Sequence, residues 1–501
     1  MKKCFPLNDN LFYVDDPNAA RNTFRDRPCQ TEPVPTYEEA RDRLPQPFWT
    51  GREDVLACYE KTWRIAFSNL RQANPDAGFV SNFIDTAFNG YLFMWDSSFI
   101  VMFGKYGSRA FDFQRTLDNF YARQHRDGYI CRELCEEAAG DQFTRDDPAS
   151  TGPNIMPWAE WEYYRTTGDK ERLSRVFDPL CGYHRWLMLN RSWPDGSYWS
   201  CGLACGMDNQ KRLEPQYNEL MSHGFMRWID TSAQQYFSAK LLTMMARELG
   251  REDETAWLEE EKTRLASIIN EKMWSEADGF YYDTYRDGRL SGIKSIAAYW
   301  TLLADLVPPE RMERFVAHLD NPAEFKRPNR VPTLSADAKD YDPLGGYWNG
   351  AVWAPTNYMV LRGLTDHGYD GLAYEIARTF LDNVVEVFNK TGTVFENYQP
   401  EQAAQNSQRR DFVGWTGLAP ISILFEQVFG IVPDTEHRKI VWNVHCLEHH
   451  GIRRYPLGDA TVELECAARA SADEKPRVTV RSDKPVTVEI RWNGRTEQLH
   501  T

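Results

Sequence analysis

The feature that most constrains the fold is an alternation between short and long segments that separate predicted helices. From residue 54 to residue 429, apolar residues recur at the spacing of three and four that is typical of amphipathic helices, and Gly or Pro residues interrupt that spacing. The spacing predicts twelve helices, at 54–72, 94–106, 109–124, 154–167, 171–190, 230–249, 253–273, 293–306, 309–319, 349–366, 369–389 and 416–429.

Five of the connections are short, and each contains a helix-breaking residue: Gly107, Gly168, Gly250, Pro308 and Gly368. The six others are long, at 73–93, 125–153, 191–229, 274–292, 320–348 and 390–415. In an array of antiparallel helices every second connection lies at the same end, so all six long loops share one end. Six helical hairpins of this kind predict a closed (α/α)6 barrel with its functional loops at that end. An open solenoid of helical pairs is the alternative.

The regions that flank the helices have a different pattern. After Pro433 short runs of alternating apolar residues predict β-strands. We therefore expect an all-α protein with three parts: an irregular N-terminal arm (1–50), the (α/α)6 barrel (51–432) and a small C-terminal antiparallel β domain (433–501).

The charge and the content of Cys and Trp residues limit the kinds of molecule that the chain is expected to bind. The chain of 501 residues has 58 basic and 73 acidic residues, a net charge of -15 that disfavours binding to nucleic acids and to anionic membranes. No apolar run is long enough to span a membrane, and the 10 Cys residues show no disulfide spacing. Cys131 with Cys135 and Cys201 with Cys205 resemble zinc half-sites but are not CxxC pairs, which favours small buried hydrophobic residues over a metal site. We expect a soluble, cytoplasmic protein without a metal or cofactor. Its 17 Trp residues suit the binding of sugar rings, and a large core rich in Trp is the alternative.

Acidic residues beside Gly and aromatic residues occur in three of the long loops. Asp96 follows Trp95, although an Asp at a helix start also stabilises the helix dipole. Asp208 follows Gly206 and Met207 in a predicted turn, where burial would raise its pKa; an Asx-turn is the alternative. Glu396 lies between aromatic residues. The loops of Asp208 and Glu396 are three hairpins apart, so the two carboxyl groups are predicted to face each other, as glycoside hydrolysis requires.

Four segments together resemble a known family of enzymes. They are 345–355 (GGYWNGAVWAP), 206–209 (GMDN) with Arg212 after it, 395–398 (FENY) and 414–418 (GWTGL). They resemble the inverting α-glycosidases of the processing α-glucosidase family, glycoside hydrolase family 63, which includes mannosylglycerate and glucosylglycerate hydrolases. Trehalases are more distant relatives. The resemblance extends over about residues 88–431, and it implies an (α/α)6 barrel that needs no cofactor.

The resemblance also implies roles for individual residues. Asp208 matches the general acid and Glu396 the general base. The positions that match or adjoin the sugar-binding site are Trp95, Asp96, Gln124, Asn209, Arg212, Trp348, Asn349, Gly350, Trp353 and Trp415. The chain departs from the family pattern at Lys211, where Pro is common, at Asn349, where Arg is common, and at Gln399, where Asp or Asn is frequent.

The implied activity is exo-acting hydrolysis of small α-linked glycosides, in particular α-glucosides, with inversion of the anomeric centre. The resemblance does not decide between an α-glucoside and an α-mannoside or another configuration as the substrate. The alternatives are an inverting phosphorylase, for which loop 390–415 offers Lys390, Arg409 and Arg410, a sugar epimerase that uses a His pair, and a carbohydrate-binding protein without activity. For an inverting hydrolase the two carboxyl groups are expected roughly 6.5 to 9.5 Å apart.

Overall fold

A computed structural model of the protein describes residues 14–30, 32–86 and 90–501. The first part of the predicted arm, residues 1–13, lies outside the described residues. The twelve predicted helices are all present, as α1 Glu53–Ser68, α2 Met94–Gly104, α3 Asp118–Ala122, α4 Met156–Thr167, α5 Lys170–Asn190, α6 Ile229–Leu249, α7 Ala256–Lys272, α8 Trp300–Leu303, α9 Pro309–Ala317, α10 Ala354–Asp366, α11 Asp370–Thr391 and α12 Ala419–Val428.

Several helices are more irregular than the apolar spacing predicts. Single 3-10 segments precede three of them: Phe113–Leu117 before α3, Ile296–Tyr299 before α8 and Thr416–Leu418 before α12. Helix α12 itself has π-type hydrogen bonding. Further 3-10 turns are Ala19–Arg21, Arg41–Arg43, Pro75–Ala77, Lys105–Gly107, Pro148–Ser150, Glu252–Glu254 and His318–Asp320, and one-turn helices span Tyr37–Ala40 and Gly202–Cys205.

The helices close into a barrel of two rings. The inner ring consists of α2, α4, α6, α8, α10 and α12, each of which contacts the next, and α12 contacts α2. The closed ring excludes the open solenoid. Every inner helix begins where a long loop ends, so the long loops all lie at the N-terminal end of the inner ring. At the other end, α4 and α6 stop at Gly168 and Gly250, whose left-handed φ of 71° and 68° allows the chain to turn back tightly.

Four buried charged side chains occupy the centre of the inner ring, towards its short-turn end. Lys105 lies 3.1 Å from Glu162 and 3.0 Å from Glu426, and Arg362 lies 3.1 Å and 3.0 Å from the same two carboxyl groups. Lys105 directly follows α2, and Glu162, Arg362 and Glu426 lie in the C-terminal halves of α4, α10 and α12. We call these four residues the charge quartet. Because two cations alternate with two anions, their charges cancel inside the barrel.

The C-terminal strands form two sheets, so the chain is not all-α. The strands are β1 Gln46–Trp49, β2 Ile431–Asp434, β3 Lys439–Asn443, β4 His450–Leu457, β5 Ala460–Cys466, β6 Val478–Ser482, β7 Thr487–Trp492 and β8 Arg495–His500. One sheet has the order β1-β4-β5-β6 and the other β8-β7-β3-β2.

Two details of the β domain correct the sequence prediction. Strand β3 pairs in parallel with β7, Lys439 opposite Thr487, so the domain is not wholly antiparallel. The arm is not wholly irregular either, because its strand β1 pairs with β4, with Gln46 opposite Arg453. A four-residue strand has too few alternations for sequence periodicity to reveal it, and its partner is far away in the chain.

Short strand pairs stiffen the long loops. They are Leu70–Arg71 with Phe83–Ile84, Tyr91–Phe93 with Glu133–Cys135, and Trp274–Ser275 with Phe280–Tyr281. The second pair joins the first two long loops beside the start of α2. Within the described part of the chain, we find no helix with both the length and the apolar character that crossing a bilayer demands.

Candidate active site

A cavity of about 430 Å³ opens among the long loops, at the end where the inner helices begin. Three carboxyl groups line it, those of Asp96, Asp208 and Glu396. Its other lining residues are Phe93, Met94, Trp95, Arg132, Gly152, Pro153, Leu203, Gly206, Tyr347, Trp348, Ser407, Arg409 and Trp415. Residues from five of the six long loops, or from the helix starts directly after them, therefore meet in one space.

Two glycines shape the loop that carries Asp208. Gly206 has a left-handed φ of 80°, and a Cβ there would lie 2.9 Å from the indole of Trp95. At Gly202 a Cβ would lie 2.0 Å from the Asp208 carbonyl oxygen. No larger residue fits at either position. The chain therefore folds back on itself, and Asp208 is held half-buried against the cavity wall.

A set of hydrogen bonds fastens the Asp208 loop to the loop that carries Trp348. The Trp348 amide donates to Asn209 Oδ1 at 3.0 Å, and Asn349 Nδ2 donates to the Asn209 carbonyl at 3.1 Å. Gln210 Nε2 donates to the Trp348 carbonyl at 3.0 Å, and the Lys211 amide donates to Asn349 Oδ1 at 2.9 Å. Asn209 and Asn349, both predicted as site residues, thus join two walls of the cavity without lining it.

Asp208 has the electrostatic environment of a general acid. Burial raises its pKa to about 7; the Arg132 guanidinium opposes that rise, and the nearby charge of Glu396 adds to it. A carboxyl group with a pKa near neutrality can hold a proton and release it to a substrate.

Glu396 is buried but well supplied with hydrogen-bond donors. Ser407 Oγ donates to Glu396 Oε2 at 2.7 Å, and the Tyr347 hydroxyl donates to Oε1 at 3.1 Å. Burial raises the pKa of Glu396, whereas these two hydrogen bonds and the charge of Arg409 lower it. The Trp415 indole donates to the Glu396 carbonyl at 2.8 Å and fixes the backbone. These contacts hold the Glu396 carboxyl group in a fixed orientation.

Asp96 is the third carboxyl group of the cavity. It lies in the first turn of α2, where the helix dipole favours a negative charge. Burial and then the charge of Glu396 raise its pKa well above the usual value, and Asp208 adds to the rise. The charges of the two neighbouring carboxyl groups therefore disfavour ionisation of Asp96. No group of three or more His, Cys, Asp or Glu residues in the described ranges is arranged to hold a metal ion.

Stacked indoles form one wall of the cavity. The rings of Trp348 and Trp353 are parallel, with centroids 3.7 Å apart, and Trp415 packs against Trp353 at 5.3 Å. Trp353 lies behind Trp348, and its Nε1 donates to the Tyr347 carbonyl at 3.0 Å. At Gly350, also a predicted site residue, a Cβ would lie 2.7 Å from the Asp342 carbonyl oxygen. Trp353 and Gly350 therefore support the wall from outside the cavity.

Two of the predicted site residues lie away from the cavity. Gln124 Nε2 donates to the carbonyl groups of Gly128 at 3.0 Å and Pro179 at 2.8 Å. Arg212 is buried between Asp230 and Asp283, at 2.6 Å and 2.7 Å. Neither placement supports contact with a sugar. Both side chains use their polar atoms to hold loops together.

Three polar residues of the cavity were not named from the sequence, Arg132, Tyr347 and Ser407, and a fourth, Arg409, was named only for the phosphorylase alternative. Tyr347 lies within the segment 345–355 that carries the family resemblance, between two glycines and Trp348, so its position could have suggested a role. Arg132, Ser407 and Arg409 have no distinctive local pattern, since only the folding of the long loops brings them to the cavity.

Comparison with known proteins agrees with this geometry. The family model described as "Mannosylglycerate hydrolase MGH1-like glycoside hydrolase domain" matches residues 90–416. The chain belongs to this family. The match includes α2 to α11 and every residue that lines the cavity, and the resemblance to the processing α-glucosidase family is confirmed.

Named relatives agree with the assignment. A probable mannosyl-oligosaccharide glucosidase of Schizosaccharomyces pombe is 25% identical, over 57% of this chain and 35% of its own length. A periplasmic trehalase of Pseudomonas aeruginosa is 31% identical, over 33% of this chain and 29% of its own length. The chain thus spans about a third of these two curated relatives.

Among solved structures, the family 63 mannosylglycerate hydrolase of Thermus thermophilus, in complex with glucose, superposes with a TM-score of 0.60 at 20% identity. The superposition covers 72% of this chain and 99% of that one. Because the identity is low, this likeness establishes the (α/α)6 fold and not the substrate.

Proposed function

We propose that this glycoside hydrolase removes a terminal sugar, an α-glucosyl group in particular, from small α-linked glycosides with inversion of the anomeric centre. The observation that carries the proposal is the pair of carboxyl groups in one cavity. Asp208 has a pKa of about 7, and Glu396 is held by two hydroxyl donors. A cavity of about 430 Å³ matches the lower part of the range of small-molecule sites, which favours an exo-acting enzyme.

The proposed reaction uses both carboxyl groups once. Protonated Asp208 donates its proton to the glycosidic oxygen as the bond to the anomeric carbon breaks. Glu396 accepts a proton from a water molecule that attacks the same carbon from the opposite face. The products are a sugar of inverted configuration and a free alcohol. Asp208 ends ionised and Glu396 protonated, and exchange with solvent restores both.

Four residues are proposed to contact the sugar directly. Trp95, Trp348 and Trp415 offer indole rings to its apolar faces, and Asp96 offers an acceptor or a donor to its hydroxyl groups. Asn209, Arg212, Asn349, Gly350, Trp353 and Gln124 are proposed to act from outside the cavity, by fixing the loops.

Proton NMR of the first minutes of turnover tests the mechanism. Purified enzyme is screened against α-glucosides, α-mannosides and α-linked disaccharides, and the best substrate is then followed. The β anomer is expected to appear first. Initial formation of the α anomer would contradict inversion and would point to Glu396 as a nucleophile.

An inverting phosphorylase is the second candidate, because the guanidinium groups of Arg132 and Arg409 line the cavity and could hold phosphate. Turnover in a phosphate-free buffer decides between the two. A hydrolase keeps its full rate, whereas a phosphorylase needs inorganic phosphate and releases a sugar 1-phosphate.

A further inference from the structure

A second cleft, of about 570 Å³, lies between the barrel and the β domain. Its walls are the C-terminal ends of α4 and α6, the turn between β2 and β3, and the turn between β4 and β5. It shares no lining residue with the active-site cavity. Helix α4 runs between the two, with Pro153 of the cavity just before its start and Gly168 of the cleft at its end. Its twelve residues separate the two spaces by about 18 Å.

The cleft is held open by bonds between the two domains. The Gly458 amide donates to the Thr166 carbonyl at 2.8 Å, and the Thr435 hydroxyl donates to the Arg165 carbonyl. Gly458 has a left-handed φ of 56°, and a Cβ there would lie 2.8 Å from the Thr435 methyl group. The two β turns are thus fixed on the end of α4. A preformed space between domains is a common place for small-molecule binding.

The inner surface of the cleft is aromatic. Trp161 and Tyr164, one helical turn apart on α4, have ring centroids 5.4 Å apart at 43°. Both are half-buried, whereas most of the barrel's large aromatic residues are buried. Met244 of α6 extends this surface. Rings that are partly open to solvent inside a cleft can stack on the apolar face of a ligand.

The edge of the cleft has hydrogen-bonding groups of both charges. Arg165, Arg247 and Arg438 face four carboxyl groups, those of Glu248, Asp434, Glu436 and Asp459. Some of these are already paired: Glu248 accepts from the Tyr164 hydroxyl at 2.9 Å, and Arg438 lies 3.1 Å from Asp459. Three cations against four anions leave no strong net charge, which suits a neutral ligand with many hydroxyl groups better than a phosphate.

We propose that this cleft is a second, non-catalytic carbohydrate-binding site for short neutral saccharides. Stacking on Trp161 provides the apolar contact, and the charged edge binds the hydroxyl groups. The proposal does not depend on the substrate or the stereochemistry of the active site, because it rests on a separate set of residues.

Fluorine NMR of protein labelled with 5-fluorotryptophan tests this site directly. Glu396→Gln protein is used, so that sugars are not hydrolysed, and Trp161→Phe in that background identifies the Trp161 signal. Maltose, trehalose and inorganic phosphate are the probes. We expect the Trp161 signal to shift in a saturable way with at least one disaccharide and not with phosphate. The same shift is expected when Trp348→Ala disrupts the active-site wall.

The opposite results would overturn the proposal. A Trp161 signal that stays fixed at saturating concentrations of both sugars would exclude the saccharide site, and a shift with phosphate alone would make the cleft an anion site. In otherwise wild-type enzyme, Trp161→Phe is expected to leave turnover unchanged. Failure of the active-site assignment would instead appear as turnover that survives Glu396→Gln.

Discussion

Asp96 and Glu396 of the active-site cavity are buried like the two carboxyl groups of the charge quartet, yet their pKa values shift in the opposite direction. Asp96 and Glu396 are each 6% exposed, and Glu162 and Glu426 are 4% and 2% exposed. In the quartet, the charges of Arg362 and Lys105 hold the pKa of both carboxyl groups below the usual range despite burial.

In the cavity, nearby cations do not fully offset the effect of burial on the pKa of the carboxyl groups. Desolvation raises the pKa of Asp96, Asp208 and Glu396; the charge of Glu396 raises the pKa of Asp96 and Asp208 further, and that of Asp208 adds to the rise at Asp96. The charge of Arg132 acts against the shifts of Asp96 and Asp208, and that of Arg409 against the shift of Glu396. Burial therefore does not distinguish the carboxyl groups of the cavity from those of the quartet. What distinguishes them is whether cations within contact distance neutralise the charge.

The largest expected effect is on turnover. Asp208→Asn and Glu396→Gln are each expected to lower kcat by about a hundredfold to ten thousandfold, because each removes one proton transfer. Steady-state kinetics on an unactivated disaccharide measures this, with circular dichroism to verify folding. Glu401→Gln is the matched control, since Glu401 lies in the same loop but pairs with Arg327 outside the cavity. If Asp208→Asn retained half its rate, the acid would be elsewhere, and Asp96, the third carboxyl group of the cavity, would be tested next.

In the charge quartet the large effect is on stability. Lys105→Met removes a cation that lies within 3.1 Å of both Glu162 and Glu426. It leaves them Arg362, with the partly exposed Arg165 3.5 Å from Glu162, so much of one buried negative charge stays uncompensated. We expect the free energy of unfolding to fall by about 3 to 5 kcal/mol in urea titrations at pH 7. Lys390→Met removes an exposed pair with Glu386 and is expected to cost at most about 0.5 kcal/mol. Equal losses of unfolding free energy in Lys105→Met and Lys390→Met would contradict a stabilising role for the charge quartet.

In the cavity the sign of the stability effect is reversed. The pKa of Asp208 is higher in the folded protein than in the unfolded chain, so its ionisation opposes folding as the pH rises through the range from about 4 to about 7. Asp208→Asn should therefore stabilise the protein at pH 8, by up to about 4 kcal/mol, and have little effect near pH 4. Urea unfolding at both pH values measures the difference. If Asp208→Asn destabilised the protein at pH 8, ionisation of Asp208 would not oppose folding.

A smaller effect is expected from the hydrogen bonds to the base. Ser407→Ala removes a bond that lowers the pKa of Glu396, so that pKa should rise. The acidic limb of the pH profile of kcat is then expected to move to higher pH by about one unit. At the pH optimum, kcat itself is expected to fall less than about tenfold. Ser335→Ala, whose hydroxyl bonds to Asp337 away from the cavity, should leave the limb unchanged. An unchanged limb in Ser407→Ala would indicate that Ser407 acts only by packing.

The sequence was sufficient for those features that depend on local pattern. Apolar spacing and the Gly or Pro breaks predicted all twelve helices, and the alternation of loop lengths predicted the closed barrel. Asp208 and Glu396 could be chosen because Gly and aromatic neighbours mark their loops.

Other features depend on contacts between distant parts of the chain. Strand β1 exists because β4 lies beside it, and Ser407 reaches Glu396 only through the shape of loop 392–415. Family resemblance indicated that Arg212 and Gln124 belong near the site, but not that neighbouring loops bind their polar atoms. The neutralised charge of Glu162 and Glu426 likewise depends on helices that meet only when the ring closes.

The most direct test of the central claim is the pH dependence of kcat/KM on a disaccharide compared with that on a dinitrophenyl glycoside of the same sugar. If Asp208 is the general acid with a pKa of about 7, disaccharide turnover falls as the pH rises through about 7. The dinitrophenyl glycoside needs no proton on its leaving group, so its basic limb should be absent. A disaccharide rate that stays level to pH 9, or an identical basic limb for both substrates, would contradict the assignment of Asp208.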